Sequence, residues 1–442
     1  MLFSFLKYLQ PTHYFQLQTK TKTSIFPKVE TLPQTVLNKL ITDNSYQSEI
    51  AKNYDLSWQA IQKGYIGDAS TYKEFQKLSI KDNYHFIRKY FNPAWVFYVL
   101  MLRFFSFKNP LKELKGWYTT RHIKRVEINT IFLYNNEYKD FNSTLIKTNP
   151  KVSVVIPTLN RYSYLKDVLK DLEHQDYSNF EVIVVDQSNP FDEKFYNDFK
   201  LNINLIKQEE KALWLARNNA IREATGEFIA LSEDDVRIES NWISQHLKCL
   251  DFFKAQVSAG VFYPEGKKIP KERSFFAIAS QFATGNAMLY KDVFKNVKLF
   301  DRQFEKQRMG DGEFGLRLYL EDIKSVSNPN AACIDVKAGE GGLREMGSWD
   351  AFRPSNFFAP RPIPSVLYFF RRYFGNKRAR LAMLRTIPIS IFPYQFKKNK
   401  PLLLIGVIIS VFILPLVIFQ VYKSWRLASK KINEGPLIQE LK

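Results

Sequence analysis

The chain has 442 residues, enough for two or three domains with a substantial core. Its 64 Lys and Arg against 44 Asp and Glu give a formal net charge of +20, which suits an anionic membrane surface, a phosphorylated ligand or nucleic acid. Neither zinc-finger spacing nor an RNA-binding aromatic signature is present, so no nucleic-acid partner is expected. The two cysteines, Cys249 and Cys333, lack metal-type spacing and read as buried thiols.

Met1 to Lys20 lacks the apolar core and small-residue cleavage site of a signal peptide. Residues 1–150 are polar, aromatic and Lys-rich, and are expected to form a mostly helical accessory region. Their one strongly apolar run, Phe91 to Phe105, is too short to span a bilayer and is broken by Arg103. It is predicted to be a buried or interfacial helix, with Asn109-Pro110 ending it. Lys147-Thr148-Asn149-Pro150 is a turn leading into a core domain over 151–345.

That domain begins with Val152 to Ile156, which has the length and β-branched content of a strand covered on both faces. Pro157 cannot donate to a ladder and marks the strand's end. Leu165, Val168, Leu169 and Leu172 then share one helical face. A second buried strand closes on Asp186, at the carboxyl edge where open α/β sheets bind ligands. A third run, Ile203 to Ile206, precedes a helix that stops at Thr225-Gly226. The next strand, Glu227 to Leu231, leads straight into Ser232-Glu233-Asp234-Asp235. Three consecutive acids repel one another unless a cation is present, and Mg²⁺ or Mn²⁺ takes carboxylate oxygens together with ligand phosphates. A solvated acidic turn is the plain alternative; the edge shared with Asp186 favours a site.

The last hundred residues change character. From Arg361 to Lys400 there are ten basic residues and no acidic one, interleaved with Val366, Leu367, Tyr368, Phe369, Phe370, Tyr373 and Phe374. Residues 346–400 are therefore expected to lie as a basic-aromatic segment on an anionic leaflet. Residues 401–421 are uncharged, about the ~20 residues that cross a hydrocarbon core, so 401–422 is expected to be a transmembrane or, given Pro415, a re-entrant helix. Residues 423–442 form a tail. The cations before the helix outweigh those after it, which places the large N-terminal part on the cytoplasmic side of an inner membrane.

The order Pro157-Thr-Leu-Asn-Arg161, Val-Val-Asp186, Ala216-Arg-Asn218, Gly226-Glu-Phe-Ile-Ala-Leu and Glu233-Asp-Asp235 resembles the family-two glycosyltransferases. The resemblance covers about residues 151–345. It implies an α/β fold of the A type, a Rossmann-like nucleotide-binding half merged with an acceptor half, between the helical N-terminal region and the C-terminal membrane helix. Pro157, Thr158, Asn160 and Arg161 would then line the nucleotide pocket. Asp186 would contact the base or ribose, Arg217 the diphosphate and Asp234 the ribose. Glu233 and Asp235 would be metal ligands, Glu233 replacing the family's usual Asp.

Thr284-Gly285-Asn286-Ala287-Met288 resembles the family's strand beneath the donor sugar. Met309 to Arg317 resembles the segment that carries the general base, with Gly310 where the family has Glu and Asp311 as the base. An inverting transfer needs one carboxylate to take the acceptor hydroxyl proton, and a helix N-terminus favours its ionised form. Asp335 stands where related transferases carry a metal-binding His, and is expected to be an oxygen ligand. Gly339, Gly341 and Gly342 would let the next segment close over the donor, with Arg344 reaching phosphate.

The resemblance implies an inverting, metal-dependent transfer of a sugar from a nucleotide-diphosphate sugar to a hydroxyl. The C-terminal anchor points to a lipid-linked or glycan acceptor, in surface polysaccharide or glycolipid assembly. Glu233, Gly310 and Asp335 also fit a different reading, an inactive glycosyltransferase fold serving as a membrane scaffold. A processive polysaccharide synthase would need several transmembrane helices and a Gln-x-x-Arg-Trp motif, and the chain has neither.

Overall fold

The computed structural model describes residues 1–441 except 129–133, 340–341, 343–349, 355, 393–395 and 397–398. The chain divides into two units, Met1–Leu133 with Phe370–Phe412, and Tyr134–Phe369 with Ile413–Lys442. The break falls at 133/134, not at 150. The reason is that residues 134–150 pack on the helix Trp242–Phe253. Ser143 Oγ and Leu145 N both donate to Asp251 Oδ2 (2.6 and 3.0 Å), and Tyr138 OH donates to the Gln245 side chain (3.1 Å).

The first unit is helical as expected. Ser48, Ser79, Asn92 and Asn109 each cap a helix with a side-chain oxygen, starting Glu49–Gln62, Ile80–Tyr90, Pro93–Phe105 and Pro110–Thr119. Asn109-Pro110 therefore opens a helix instead of ending one, since proline at the first helical position surrenders no hydrogen bond. Phe3 stacks on Phe86 at 3.8 Å in the core, and Lys89 Nζ lies buried between Asp55 (2.8 Å) and Asp43 (2.9 Å).

The second unit is built on one mixed nine-stranded sheet. Its strands are β1 Val152–Thr158, β2 Phe180–Asp186, β3 Ile203–Lys207, β4 Phe228–Ser232, β5 Val236–Ile238, β6 Val257–Pro264, β7 Ala277–Ile278, β8 Asn286–Tyr290 and β9 Ser325–Asp335. They lie in the order β3-β2-β1-β4-β8-β6-β9-β5, with β7 on β9. Strands β3, β2, β1 and β4 are parallel, and β8 is antiparallel to both β4 and β6. β1 runs one residue past Pro157 to Thr158. Pairing with β4 has already ended at Val155↔Leu231, so the missing N–H of Pro157 breaks no ladder bond. The chain leaves β1 toward β2 on one side and reaches β4 on the other, which opens a crevice beyond their carboxyl ends.

The C-terminal apolar stretch is two helices, Lys400–Phe412 and Leu414–Glu434, instead of one. Pro415 lies in the first turn of the second, where its ring disfavours a helical residue before it and its missing N–H costs nothing. Among the described residues no single helix is long and apolar enough to cross a membrane; by length and composition alone this pair passes together, as a broken span or a re-entrant loop.

Part of the segment expected to lie on a leaflet is packed instead, although Phe357 and Phe358 within it are exposed. Val366, Leu367, Tyr368, Phe369, Phe370 and Phe374 are all buried in the helix Pro364–Thr386, which is interrupted at Gly375. Tyr368 OH donates to Asp301 (2.9 Å), so this face is core. The alternation of cations with aromatics in that stretch marks a helix with one packed face.

Candidate active site

The crevice holds a cavity of about 300 Å³, walled by Pro157, Thr158 and Arg161 after β1, by the acidic turn after β4, and by Thr284, Asp311 and Asp335 from the second half of the sheet. Thr158 Oγ1 donates to Asp234 Oδ2 at 2.8 Å, tying the ends of β1 and β4 together. Arg161 Nη1 reaches Asp234 Oδ1 at 3.0 Å and Asp235 Oδ2 at 3.2 Å. Asp335 arrives at the same place because β5 pairs antiparallel with β9, Val236 opposite Asp335. The segment beyond folds back across Arg161. Ala338 N donates to Asp235 Oδ2 (3.2 Å), and Gly342 N donates to the Leu159 carbonyl (3.1 Å). Gly342 has φ +59°, and a Cβ there would lie 2.5 Å from the Arg161 guanidinium carbon, so only glycine fits. Arg344 and Gly341 fall outside the described residues.

Arg217 is fully buried beneath the cavity floor. Its Nη1 donates to the carbonyls of Thr284 (2.6 Å) and Ser232 (3.3 Å), and Nη2 lies 3.6 Å from Glu233 Oε1. Thr284 faces both ways, since its N–H (3.0 Å) and its hydroxyl donate to Asp311 Oδ1. Asp311 Oδ2 has no protein partner among the described residues, and Asp311 is in the first turn of the helix Gly310–Leu320 on the cavity wall.

Burial pushes Glu233 up to about 8, with Asp235, Asp311 and Asp234 adding and Arg217 opposing. Its side chain lies deep in protein yet remains 43% exposed to the cavity. Burial likewise pushes Asp234 up to about 6, against the pull of Arg161. A carboxyl raised above its unfolded value binds a proton in the folded chain that the unfolded chain has released. Stability is therefore expected to be full below about pH 4.5 for these two groups and to fall as pH rises toward 8. Thermal unfolding between pH 5 and 8 checks this: Glu233→Gln should flatten the decline, and an unchanged slope would refute it.

Two expected pocket residues lie off the wall. Asp186 is wholly buried, with Oδ2 accepting from Tyr162 OH (2.7 Å) and Tyr196 OH (2.8 Å) and Oδ1 from Ser188 N (2.8 Å). Its carboxylate is held by these three protein donors and shapes the loop beyond β2. Asn160 does the same work, accepting from Asn189 N (3.0 Å) while its own N–H donates to Ser188 Oγ (2.8 Å).

The metal expectation also changes. Glu233, Asp235 and Asp335 share the cavity, but among the described residues no three Asp, Glu, His or Cys side chains are grouped to hold an ion. Arg161 and Arg217 supply the positive charge that the acidic turn requires. The carboxylate oxygens of Glu233, Asp235 and Asp335 are of the donor type that suits Mg²⁺ or Mn²⁺.

Sequence reasoning missed Lys211, Gln187, Trp214, Phe262, Lys306, Arg308 and Lys337, all of which line the cavity. Trp214 explains the glycine at 310. A Cβ on Gly310 would lie 2.1 Å from the indole, which packs beside Phe300 with ring centroids 5.3 Å apart. Glu305 accepts from Trp214 N (3.2 Å) and Leu215 N (2.8 Å), fixing the start of the helix Leu213–Glu223. Gly310→Ala should therefore destabilise the fold by about 1–3 kcal/mol through overpacking, against the usual helical gain from alanine. Combining it with Trp214→Leu should recover most of that loss in a urea titration.

Residues 153–306 match the model of glycosyl transferase family 2. The match begins in β1 and ends just before the helix that carries Asp311. Glycosyltransferase GlyA of Streptococcus pneumoniae is 25% identical over 163 residues, 36% of this chain and 22% of the relative. The GalNAc(5)-diNAcBac-PP-undecaprenol beta-1,3-glucosyltransferase of Campylobacter jejuni is 24% identical over 192 residues, 39% of this chain and 60% of that one. The chain thus spans less than two thirds of the length of these curated relatives. A solved structure of Staphylococcus aureus TarS residues 1–349 with UDP-GlcNAc aligns with TM-score 0.42 at 18% identity, covering 64% of this chain and 92% of that one. The family 2 segment therefore holds the acidic turn, both arginines and Thr284, while Asp311 and Asp335 lie beyond it.

Proposed function

We propose that this cleft transfers a sugar from a nucleotide-diphosphate sugar to an acceptor hydroxyl with inversion at the anomeric carbon. The observation that carries the reading is Asp311, held by Thr284 through one oxygen and opposed across the cavity by the arginine-paired acidic turn. Asp311 Oδ2 takes the hydroxyl proton as the acceptor oxygen bonds to the anomeric carbon. The bond from that carbon to the diphosphate oxygen breaks, and the nucleoside diphosphate leaves with the electron pair. Arg161 and Arg217, with Lys211, Lys306, Arg308 and Lys337 around the cavity, offset its charge.

The acceptor is a lipid-linked saccharide or glycan, and the enzyme works at the inner face of a bacterial cytoplasmic membrane. The broken apolar pair over 400–434 and the +20 charge support that location. An acceptor on a polyprenyl diphosphate, as the Campylobacter relative's name states for that enzyme, fits the same setting.

The test is calorimetric binding of UDP, GDP and dTDP to the detergent-purified chain, with and without Mn²⁺, beside Asp235→Ala. Binding of one nucleotide supports the transferase and identifies its donor class. Mn²⁺-dependent binding lost in Asp235→Ala would place a cation at the acidic turn, whereas metal-independent binding leaves the diphosphate to the arginines and lysines. Failure to bind any of the three would overturn the proposal in favour of an inactive scaffold.

A further inference from the structure

The helices Pro93–Phe105 and Pro110–Thr119 of the first unit are joined by the four residues 106–109, and the tip of this hairpin is apolar and bare. Phe105, Phe107 and Leu111 are 79%, 97% and 76% exposed. Phe107 has φ +51°, a left-handed backbone conformation that non-glycine residues rarely adopt, and it is the most exposed of the three side chains. Core packing accounts for little of the first helix, because only Val96, Val99 and Leu100 are buried along it.

Charge identifies what covers the tip. Lys108, Lys112, Lys115, Arg121, Lys124 and Arg125 are all exposed. Between Arg103 and Val126 the one acid is Glu113, which is buried and engaged by Arg103 Nε at 3.0 Å. A surface with protruding aromatic and aliphatic side chains and a collar of cations, with no exposed acid between Arg103 and Val126, matches an anionic bilayer, whose headgroups take the cations and whose acyl boundary takes the rings. In the basic-aromatic segment over 346–400, which the sequence offered for this role, Tyr368, Phe369, Phe370 and Phe374 are inside the protein.

We infer that the hairpin over 93–119 is a membrane-docking wedge, inserting Phe105, Phe107 and Leu111 into the interface of an anionic bilayer. It is a second contact, separate in sequence from the apolar pair over 400–434. It deepens the membrane-bound reading above, yet it stands apart from sugar transfer, so the two can fail independently.

The experiment uses the full chain carrying Phe107→Cys, labelled with the environment-sensitive fluorophore NBD. Cys249 and Cys333 are buried and free, so the new thiol takes the label. With vesicles of phosphatidylcholine containing about one-third phosphatidylglycerol, the emission is expected to shift blue and to be quenched by nitroxide-bearing lipids. Vesicles of phosphatidylcholine alone, or high salt, should weaken the response. Phe105→Ser with Leu111→Ser should weaken vesicle partitioning of the hairpin label about tenfold or more. A label at Leu111→Cys repeats the reading without altering Phe107. If the chain floats with the vesicles while both labels stay water-exposed, other elements bind and the wedge is refuted. A response to single-stranded RNA with none to vesicles refutes it equally. Nucleotide binding by the same labelled chain reports separately on the cleft.

Discussion

Asp311→Asn is expected to lower sugar transfer by about 10²–10⁴-fold, the range for loss of a general base, while nucleotide binding stays within a factor of about two. The substitution is nearly isosteric. The asparagine carbonyl can still accept from the Thr284 N–H and hydroxyl, as Asp311 Oδ1 does, so the Gly310–Leu320 helix keeps its start. What changes is the second oxygen, which becomes an amide unable to take a proton. Steady-state rates with isothermal binding of the nucleotide separate the two effects. A variant that keeps its rate would remove Asp311 from the chemistry and leave it as part of the helix start. Loss of nucleotide binding along with rate would instead show that the cleft had rearranged.

The second large effect is expected at Arg217. Arg217→Met should cost about 1–3 kcal/mol of stability for each buried carbonyl it strands, those of Ser232 and Thr284, and should abolish measurable nucleotide binding. It would also leave Glu233 with no cation at 3.6 Å, beside three aspartates that already raise it. Arg217→Lys keeps a charge but not the guanidinium fork, which places one nitrogen on two carbonyls and another toward Glu233. It should recover part of the stability and little of the binding. Arg217→Met with Glu233→Gln should be more stable than Arg217→Met alone, because no carboxyl remains that the folded chain must keep protonated. Urea unfolding of the three variants checks the order. Equal stability of the single and double variants would mean that Glu233 and Arg217 do not act on one another.

Local pattern was enough for the strands and the acidic turn. The β-branched runs at 152–156 and 181–186 are strands buried on both faces, and each carries its site residue to the same sheet edge. Asp335 could be placed beside Asp235 because a family resemblance spans the gap of a hundred residues; the physical cause, β5 paired with β9, is tertiary. Side-chain engagement was beyond local reasoning. Asp186 stands at the expected strand end, yet Tyr162 from the helix before β2 and Tyr196 from the segment after it both donate to its Oδ2. Gly310 read as a departure from the family until Trp214, ninety-six residues earlier, was seen to occupy the space of its side chain.

The composition of the C-terminal region was similarly ambiguous. A run of aromatics among arginines has the same sequence whether it faces lipid or a protein core, and packing decided for the core at Val366 to Phe370. The converse holds at Phe105, Phe107 and Leu111, which packing leaves outside. Hydrophobic periodicity and turn chemistry act over a few residues, so the sequence by itself determined the strands that end near Pro157, Asp186 and the acidic turn, the helix between the first two, and the acidic turn itself. Burial, ion pairing and which face meets solvent depend on residues far apart in the chain, and those only the tertiary structure decided.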